Sequence, residues 1–290
     1  MQDGLVLLDK PGGRTSFAAL SPVKRALGTG KVGHAGTLDR FATGLLVVLT
    51  GKLTRLIRVF SEAEKHYTAR IRFGEETATL DPEGDRTAEG EVPEKEDLLR
   101  VLESFVGELQ QVPPAYSAVH VDGQRAYREA RSGKTVSLAP RPVLVHSIEL
   151  LDFEPPEAVV EVRCGSGTYV RSLARDVAYK LGTVSHLSEL RRTAIGDFHV
   201  DEAVSPDDFQ PDRDLEPARL FADRVPGVSR ATLRRQSEKR VRNGAPLSEA
   251  DFTEPPRGEG IVLVMDPQGD VIAAAEQHGR AFKYLFVSAG

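Results

Sequence analysis

Residues 33–44, Gly-His-Ala-Gly-Thr-Leu-Asp-Arg-Phe-Ala-Thr-Gly, hold three glycines in twelve positions. A backbone built this way must turn sharply or approach another group closely. The stretch follows a short basic segment (Lys24, Arg25, Lys31) and leads into Leu45–Leu49, an apolar run that reads as a buried strand. One imidazole, His34, and one carboxylate, Asp39, lie inside the turn. Asp39 is the only acidic residue between Asp9 and Glu62, an interval that also carries Lys10, Arg14, Lys24, Arg25, Lys31, Arg40, Lys52, Arg55 and Arg58. Nearby cations favour the charged form of a carboxyl group, so Asp39 is expected to be ionised, and it is a candidate nucleophile. Taken alone, an aspartate in such a turn has a simpler use, as a turn former or a helix cap.

The rest of the chain sets bounds on that candidate. Its 290 residues suffice for one large domain plus a small one, or for two medium domains. With 40% apolar and 28% charged residues, the composition is that of an ordinary globular protein. The single cysteine, Cys164, excludes an internal disulfide and any cysteine-rich metal site, and it points to a reducing, cytoplasmic setting. The first residues lack the basic-then-apolar pattern of a signal peptide, and no apolar run approaches membrane-spanning length, so no membrane role is expected. The net charge of −5 is unevenly spread. Residues 1–72 carry 12 Lys+Arg against 5 Asp+Glu, a net of +7, whereas residues 73–110 carry 3 against 12, a net of −9. A polyanion is held by local positive faces, so this split is compatible with RNA binding.

Along the chain, residues 4–9 read as a short strand ended by the turn Lys10-Pro11-Gly12-Gly13. Thr15 and Ser16 then cap an expected helix over 16–27, closed by Gly28. A second helix is expected over 50–60, with Lys52, Arg55 and Arg58 near one face, the pattern of a solvated basic surface. Residues 65–74 alternate as a strand, and the acidic run 75–97, with a turn at Asp81-Pro82-Glu83-Gly84-Asp85, is assigned to solubility and to keeping RNA off that face. A helix follows over 94–106, with Leu98, Leu99, Leu102 and Phe105 on one stripe. Arg125, Arg128, Arg131 and Lys134 mark a helix suited to phosphate contacts. Residues 144–153 and 158–164 read as strands joined by Glu154-Pro155-Pro156-Glu157, and a helix runs from about 170 to Leu181, stopped by Gly182. Residues 205–217, rich in Pro and Asp, read as a linker. Beyond it come a basic helical segment over 227–244 and two short strands, 261–265 and 271–275, around a turn at Asp266-Pro267-Gln268-Gly269-Asp270.

Several of these stretches together resemble the bacterial tRNA pseudouridine-55 synthases, the TruB family. The run G-H-A-G-T-L-D followed by A-T-G resembles that family's active-site motif. Asp9, Lys10, Pro11, Gly13, Thr15 and Ser16 match its first motif, and Lys65-His66-Tyr67 its tyrosine motif. P-P-x-Y-S-A at 113–118 is another match, with His120 standing where lysine is commoner. Cys164 to Asp176 match C-x-x-G-T-Y-[VI]-R-S-L-x-x-D over the whole motif, and 187–198 match L-x-x-L-R-R-T-x-x-G-x-F. The resemblance implies an α+β pseudouridine synthase fold, a mixed, mainly antiparallel central sheet with flanking helices over 1–208. It also implies a small β-rich, PUA-like RNA-binding domain over 218–290, though the motifs there are looser.

The chemistry implied is isomerisation of a uridine in the T-arm of tRNA, position 55, with the target base flipped out. The bond from uracil N1 to ribose C1′ breaks, and C1′ rejoins the same base at C5. Neither a metal nor any other cofactor is called for. In this family Asp39 would be the catalytic group, as nucleophile or as base. Arg171 would be its bidentate partner, keeping it charged. Tyr67 is expected to stack on the base, Tyr169 to add aromatic surface and a hydroxyl donor, and Leu190 to line the apolar wall between the flanking Arg191 and Arg192. His34 is assigned to holding the flipped loop nucleotides, and Lys10 to substrate binding or, more simply, to structural support of its turn. A monomer with no protein partner is expected. Two alternatives stand beside this reading, a guide-RNA-dependent synthase and a non-catalytic RNA-binding protein on the same scaffold. The short N-terminus and the lack of basic tails favour the stand-alone enzyme, as the intact Asp39, Tyr67 and Arg171 favour an active one. A phosphate-binding nucleotide enzyme is set aside, because residues 33–44 fit neither G-x-x-x-x-G-K-[ST] nor G-x-G-x-x-G.

Overall fold

The apolar runs of β1 (Leu5–Lys10) and β3 (Thr43–Thr50) pair antiparallel, Leu5 opposite Leu49 and Lys10 opposite Gly44. Leu5–Leu8 and Leu45–Leu49 within them are hydrophobic without alternation because both of their faces are covered. Val6, Leu8, Leu46 and Val48 enter one core with Leu20, Val23, Ile71, Leu173 and Leu190. The alternate residues, Leu5, Leu7, Leu45, Val47 and Leu49, enter another with Phe60, Phe198, Phe221, Ile261 and Leu263. The computed structural model describes residues 3–116, 120–121, 124–125, 138–225 and 227–288.

After β1 the chain forms α1 (Ser16–Ala19) and α2 (Ser21–Ala26). The single helix expected over 16–27 is thus broken, at the point where Pro22 lacks an amide hydrogen. Short β2 (Val32–His34) pairs with β3. The expected helix over 50–60 is a 3₁₀ turn, Gly51–Leu56, followed by α3 (Ile57–Glu62). Next come β4 (Lys65–Phe73), the hairpin of β5 (Glu75–Thr77) and β6 (Arg86–Glu89), α4 (Lys95–Glu103) and β7 (Gly107–Gln111). A minor pair, β8 (His120–Val121) and β9 (Gln124–Arg125), precedes β10 (Arg141–Glu154) and β11 (Glu157–Cys164). Of the helix expected to carry Arg125, Arg128, Arg131 and Lys134, Arg125 is in β9 instead, and the other three lie outside the described residues. Then α5 (Val170–Lys180) leads into β12 (Ser185–Ile195) and β13 (Phe198–His199).

The large sheet has the order β1-β3-β12-β4-β11-β10-β7, with β2 and β13 beside β3 and β12. Its described strand pairs are antiparallel except β12 with β3. That parallel contact is close. Gly44 has φ +103°, and a Cβ built there would lie 2.3 Å from the Arg192 carbonyl oxygen, so no side chain fits. No helix among the described residues is long and apolar enough to cross a membrane.

Residues 205–217 do not behave as the linker expected of them. Leu5 and Glu216 exchange backbone hydrogen bonds at 2.8 Å, Val204 donates to Leu7 and receives from Asp9, and Phe209 is buried in the first core. The segment covers the otherwise open edge of β1, where unpaired backbone groups need partners. The chain continues through α6 (Pro211–Asp214) and α7 (Ala218–Phe221) to β14 (Val228–Thr232) and α8 (Arg235–Arg242), so the first part of the expected basic helix is a strand. β15 (Gly260–Met265), β16 (Val271–His278) and β17 (Ala281–Val287) complete a four-stranded sheet ordered β14-β15-β16-β17, as its two expected strands and intervening turn anticipate.

This small sheet docks on the large one. Beyond the shared apolar core, Lys52 Nζ donates to the Val287 carbonyl at 3.0 Å, Arg55 to the Leu285 carbonyl, and Arg58 pairs with Glu276. The basic face expected to be solvated is therefore turned to β16 and β17.

Candidate active site

The first motif and the glycine-rich stretch build one object. Ser16 Oγ, buried, accepts from Leu38 N at 2.8 Å and donates to Leu38 O at 3.0 Å, which fixes the residue before Asp39. Gly13 N donates to Arg40 O at 2.9 Å, and Arg40 Nε returns a bond to Gly13 O at 3.0 Å, fixing the residue after it. Lys10 is fully buried, and its ammonium donates to the carbonyls of Pro11 (2.9 Å), Arg14 (2.7 Å) and Arg40 (3.3 Å). Burial pushes its pKa down to about 8, against the attraction of Asp39. Lys10 thus ties the two turns together. The structural role holds, and the ammonium leaves no donor for a substrate.

Arg171 arrives from the opposite side. It lies in the first turn of α5, whose start is fixed by Gln111: Tyr169 N donates to Gln111 Oε1 at 2.8 Å, and Gln111 Nε2 donates to Tyr169 O at 3.1 Å. The guanidinium is 3% exposed and spends itself on four groups. Nη2 donates to Asp39 Oδ1 at 3.0 Å, and Nε sits 2.8 Å from Oδ2 as a charge contact without hydrogen-bond alignment. Nη1 donates to Thr79 O at 2.6 Å and to Asp81 Oδ2 at 3.2 Å, and Nη2 also donates to Tyr116 O at 3.0 Å. The pairing of Asp39 with Arg171 expected from the resemblance is present in this geometry.

Asp81 is the residue that the sequence reading missed. The acidic run containing it was expected to be a solubility feature, yet Asp81 is 4% exposed. Its Oδ1 accepts from Glu83 N at 3.0 Å and from the Thr79 hydroxyl, while Thr77 Oγ1 receives Asp81 N at 3.0 Å. Leu80, at φ +60°, turns the chain so that both Thr79 O and Asp81 face the guanidinium. One apolar residue amid charges, Leu80, flanked by Thr77 and Thr79, was the available signal of a buried turn.

Burial pushes the Asp39 carboxyl above its ordinary value, and Asp81 adds to that, while Arg171 and Lys10 oppose it. The side chain keeps 34% of its surface exposed, so solvent tempers the push. The expectation of an all-cationic neighbourhood is corrected here, because the fold brings a second carboxylate within reach.

Tyr67, on β4, is 8% exposed and lies in the first core with Leu190, which is 6% exposed. Burial raises its phenol pKa, and the charge of nearby Arg192 opposes that shift. Arg192 is itself 1% exposed. It donates to Leu45 O at 2.8 Å and to Gly36 O at 3.0 Å, clamping both sides of the turn that holds Asp39. Its neighbour Arg191 points the other way, to both oxygens of Asp9 (3.0 and 2.7 Å). Of the two arginines expected to flank the site, one is a clamp and the other a pair with β1. His34 is half-buried at the end of β2, its Nδ1 buried without a hydrogen-bond partner, and burial beside Arg192 lowers its pKa, favouring neutral imidazole. The Tyr169 ring lies under Arg141, whose guanidinium carbon is 4.8 Å from its centre. Asp39 is thus in contact with Arg171 and near enough to Lys10 and Tyr67 to interact with each, Arg192 lies near both Tyr67 and His34, and Tyr169 is two residues before Arg171 in the chain.

Comparison with known proteins gives the chain's family. The family model described as TruB family pseudouridylate synthase (N terminal domain) matches residues 24–170, and that of the tRNA pseudouridylate synthase B C-terminal domain matches 171–215. The chain belongs to the TruB family. A tRNA pseudouridine synthase B of Thermobifida fusca is 41% identical over 307 residues, covering 100% of both chains. Another, of Aromatoleum aromaticum, is 48% identical over 204 residues, 70% of this chain and 66% of that protein. Among solved structures, a Cbf5-Nop10-Gar1 complex holds a chain that superposes with a TM-score of 0.71 at 25% identity, covering 98% of this chain and 85% of that one. The pseudouridine synthase fold expected from the TruB motifs is thus borne out.

Proposed function

We propose that this TruB-family enzyme, an isomerase that converts uridine in tRNA to pseudouridine, acts at position 55 in the T-arm, with Asp39 as the catalytic group and the target base flipped out of its loop. The observation that carries the residue assignment is a carboxylate, still open to solvent on one side, held by the buried guanidinium of Arg171. Reading Asp39 as catalytic accounts for why so many buried groups converge on its two neighbours in sequence.

In the reaction, the N1–C1′ bond breaks, the uracil turns, and C5 bonds to C1′ while its proton leaves for N1 or solvent. Ionised Asp39 serves by attack on sugar or base, or by taking the C2′ proton. Arg171 keeps it ionised and aimed. Tyr67 stacks on the base beside the apolar wall formed by Leu190, and Tyr169 adds a ring and a hydroxyl donor. His34, neutral, holds neighbouring nucleotides. Base–aromatic stacking of roughly 1–3 kcal/mol offsets the few kcal/mol of unstacking that flipping costs. Residues 1–208 are assigned the catalysis and 218–290 further RNA contact. The single buried thiol suits a cytoplasmic enzyme, and a monomer acting alone is the form proposed. The 41–48% identity to proteins named tRNA pseudouridine synthase B favours that form over a guide-dependent one.

The test is incubation of an unmodified tRNA transcript with the protein and with Asp39→Asn, followed by chemical mapping of pseudouridine. Modification at one T-arm uridine, lost in the variant while tRNA binding persists, is expected. Turnover by clean Asp39→Asn would remove the catalytic assignment, and modification elsewhere would remove the T-arm one.

A further inference from the structure

Phe17 is the most exposed large hydrophobic side chain of the described residues, 69% exposed, on the short helix α1. Single exposed apolar residues are common and need no explanation. This one has particular surroundings. The Lys24 ammonium sits 4.1 Å from the ring centre, covering one face. Arg25 and Lys31, close in sequence, are exposed and carry no ion pair among the described residues. The adjacent Ser16 is the residue that pins Leu38, so with ordinary bond lengths and a 3.8 Å Cα step on each side, Phe17 lies within about 15 Å of Asp39. That is within about four stacked nucleotides at 3.4 Å each.

We infer that the open face of Phe17, backed by Lys24, is a stacking platform for an unpaired base of the RNA substrate beside the reacting nucleotide. This rests on the tRNA reading above and extends it to a contact outside the catalytic turn. The chemistry is that of single-strand recognition: a ring face that any base can stack on, with cations beside it for the flanking phosphates. Charge decides the occupant. Lys24 at the ring, with Arg25 and Lys31 exposed and without an ion pair among the described residues, favours a polyanion over an apolar protein surface. The ammonium over the ring serves both roles, holding the ring by cation–π attraction and presenting charge at its rim.

The protein has no tryptophan, so Phe17→Trp gives a single emitter at this position. Stacking of a base on an indole quenches its emission. Titration with unmodified tRNA transcript is expected to quench Phe17→Trp strongly and to leave the emission of Leu151→Trp unchanged, a control at an exposed position near the end of β10. Phe17→Ala and Phe17→Leu should each weaken tRNA binding by fivefold or more with normal thermal unfolding, the second showing that apolar bulk without a π face does not suffice. Lys24→Gln should reduce the salt dependence of binding by about one unit of slope. Unquenched emission on saturation, or binding within twofold of wild type in Phe17→Ala while the wild type converts the transcript, overturns the platform and leaves the tRNA reading standing. Quenching that follows protein concentration instead of RNA assigns the ring to a second copy of the chain and also overturns it. A wild type that neither binds nor converts the transcript removes both.

Discussion

Asp81→Asn separates two effects of one buried carboxylate, its hold on Arg171 and its charge near Asp39. In the structure Asp81 does not face solvent, and its Oδ2 accepts from Arg171 Nη1 at 3.2 Å on the side of the guanidinium away from Asp39. Amide replacement keeps size and one acceptor but removes a charge-assisted bond within a buried cluster. Such bonds contribute about 1.5–3 kcal/mol, and neither partner is exposed enough for solvent to discount it, so kcat should fall by about one to two powers of ten. Binding of tRNA should stay within twofold, because Asp81 is buried. The pH profile should move independently. Asp81 is among the groups raising the Asp39 pKa, so its neutralisation lowers that pKa, and the ascending limb of kcat shifts to lower pH. Single-turnover conversion of tRNA from pH 4 to 8, beside wild type, reads both quantities. A wild-type rate in Asp81→Asn would refute the argument that Arg171 is held from behind. A limb shifted to higher pH would refute the assignment of that limb to Asp39.

Further outcomes follow from the same geometry. In the wild type, the catalytic limb should rise through a pKa above the ordinary 3.8 of an aspartate, because burial raises Asp39; single-turnover rates rising through a midpoint below that value would contradict it. Gly44→Ala places a methyl 2.3 Å from the Arg192 carbonyl at φ +103°, costing about 3 kcal/mol or more and lowering Tm by about 6 °C or more, which calorimetry measures. The double variant Lys52→Ala with Arg55→Ala should lower Tm by loosening the small sheet while leaving the salt slope of tRNA binding unchanged; were both residues phosphate contacts, the slope would drop by roughly two units.

The parts of the molecule legible in the sequence are those whose causes are local. The glycine turn, the unbroken apolar runs of β1 and β3, the strand–turn–helix leading to Arg171 and the hairpin at 266–270 each declare themselves within a dozen residues, and motif resemblance then joined them. Even the broken first helix was marked, by Ser21-Pro22. What the sequence did not disclose are partnerships between distant segments. Residues 205–217 have a linker's composition because many of their side chains, such as Asp207, Asp208 and Asp212, face solvent, but their backbone closes the edge of β1, and backbone pairing leaves no residue-type signature. Lys52, Arg55 and Arg58 have the spacing of a solvated face, and only the return of β16 and β17 turns them into anchors.

The same distinction explains why Asp39 was found and its environment misjudged. Counting charges along residues 10–61 gave a lone carboxylate among cations, and that arithmetic is correct for the segment. The cluster is set instead by three segments converging on one guanidinium, and the third, at Thr79–Asp81, comes from the most acidic part of the chain. A buried arginine cannot give up its charge and has donors in excess of what one carboxylate accepts. Once Arg171 is committed to Asp39, its remaining donors demand acceptors from elsewhere, and a buried carboxylate answers that demand better than solvent could. Asp81 is thus a consequence of Arg171. The search for a missing member of such a site should begin from the donors left over on the buried cation, and only then turn to local charge density.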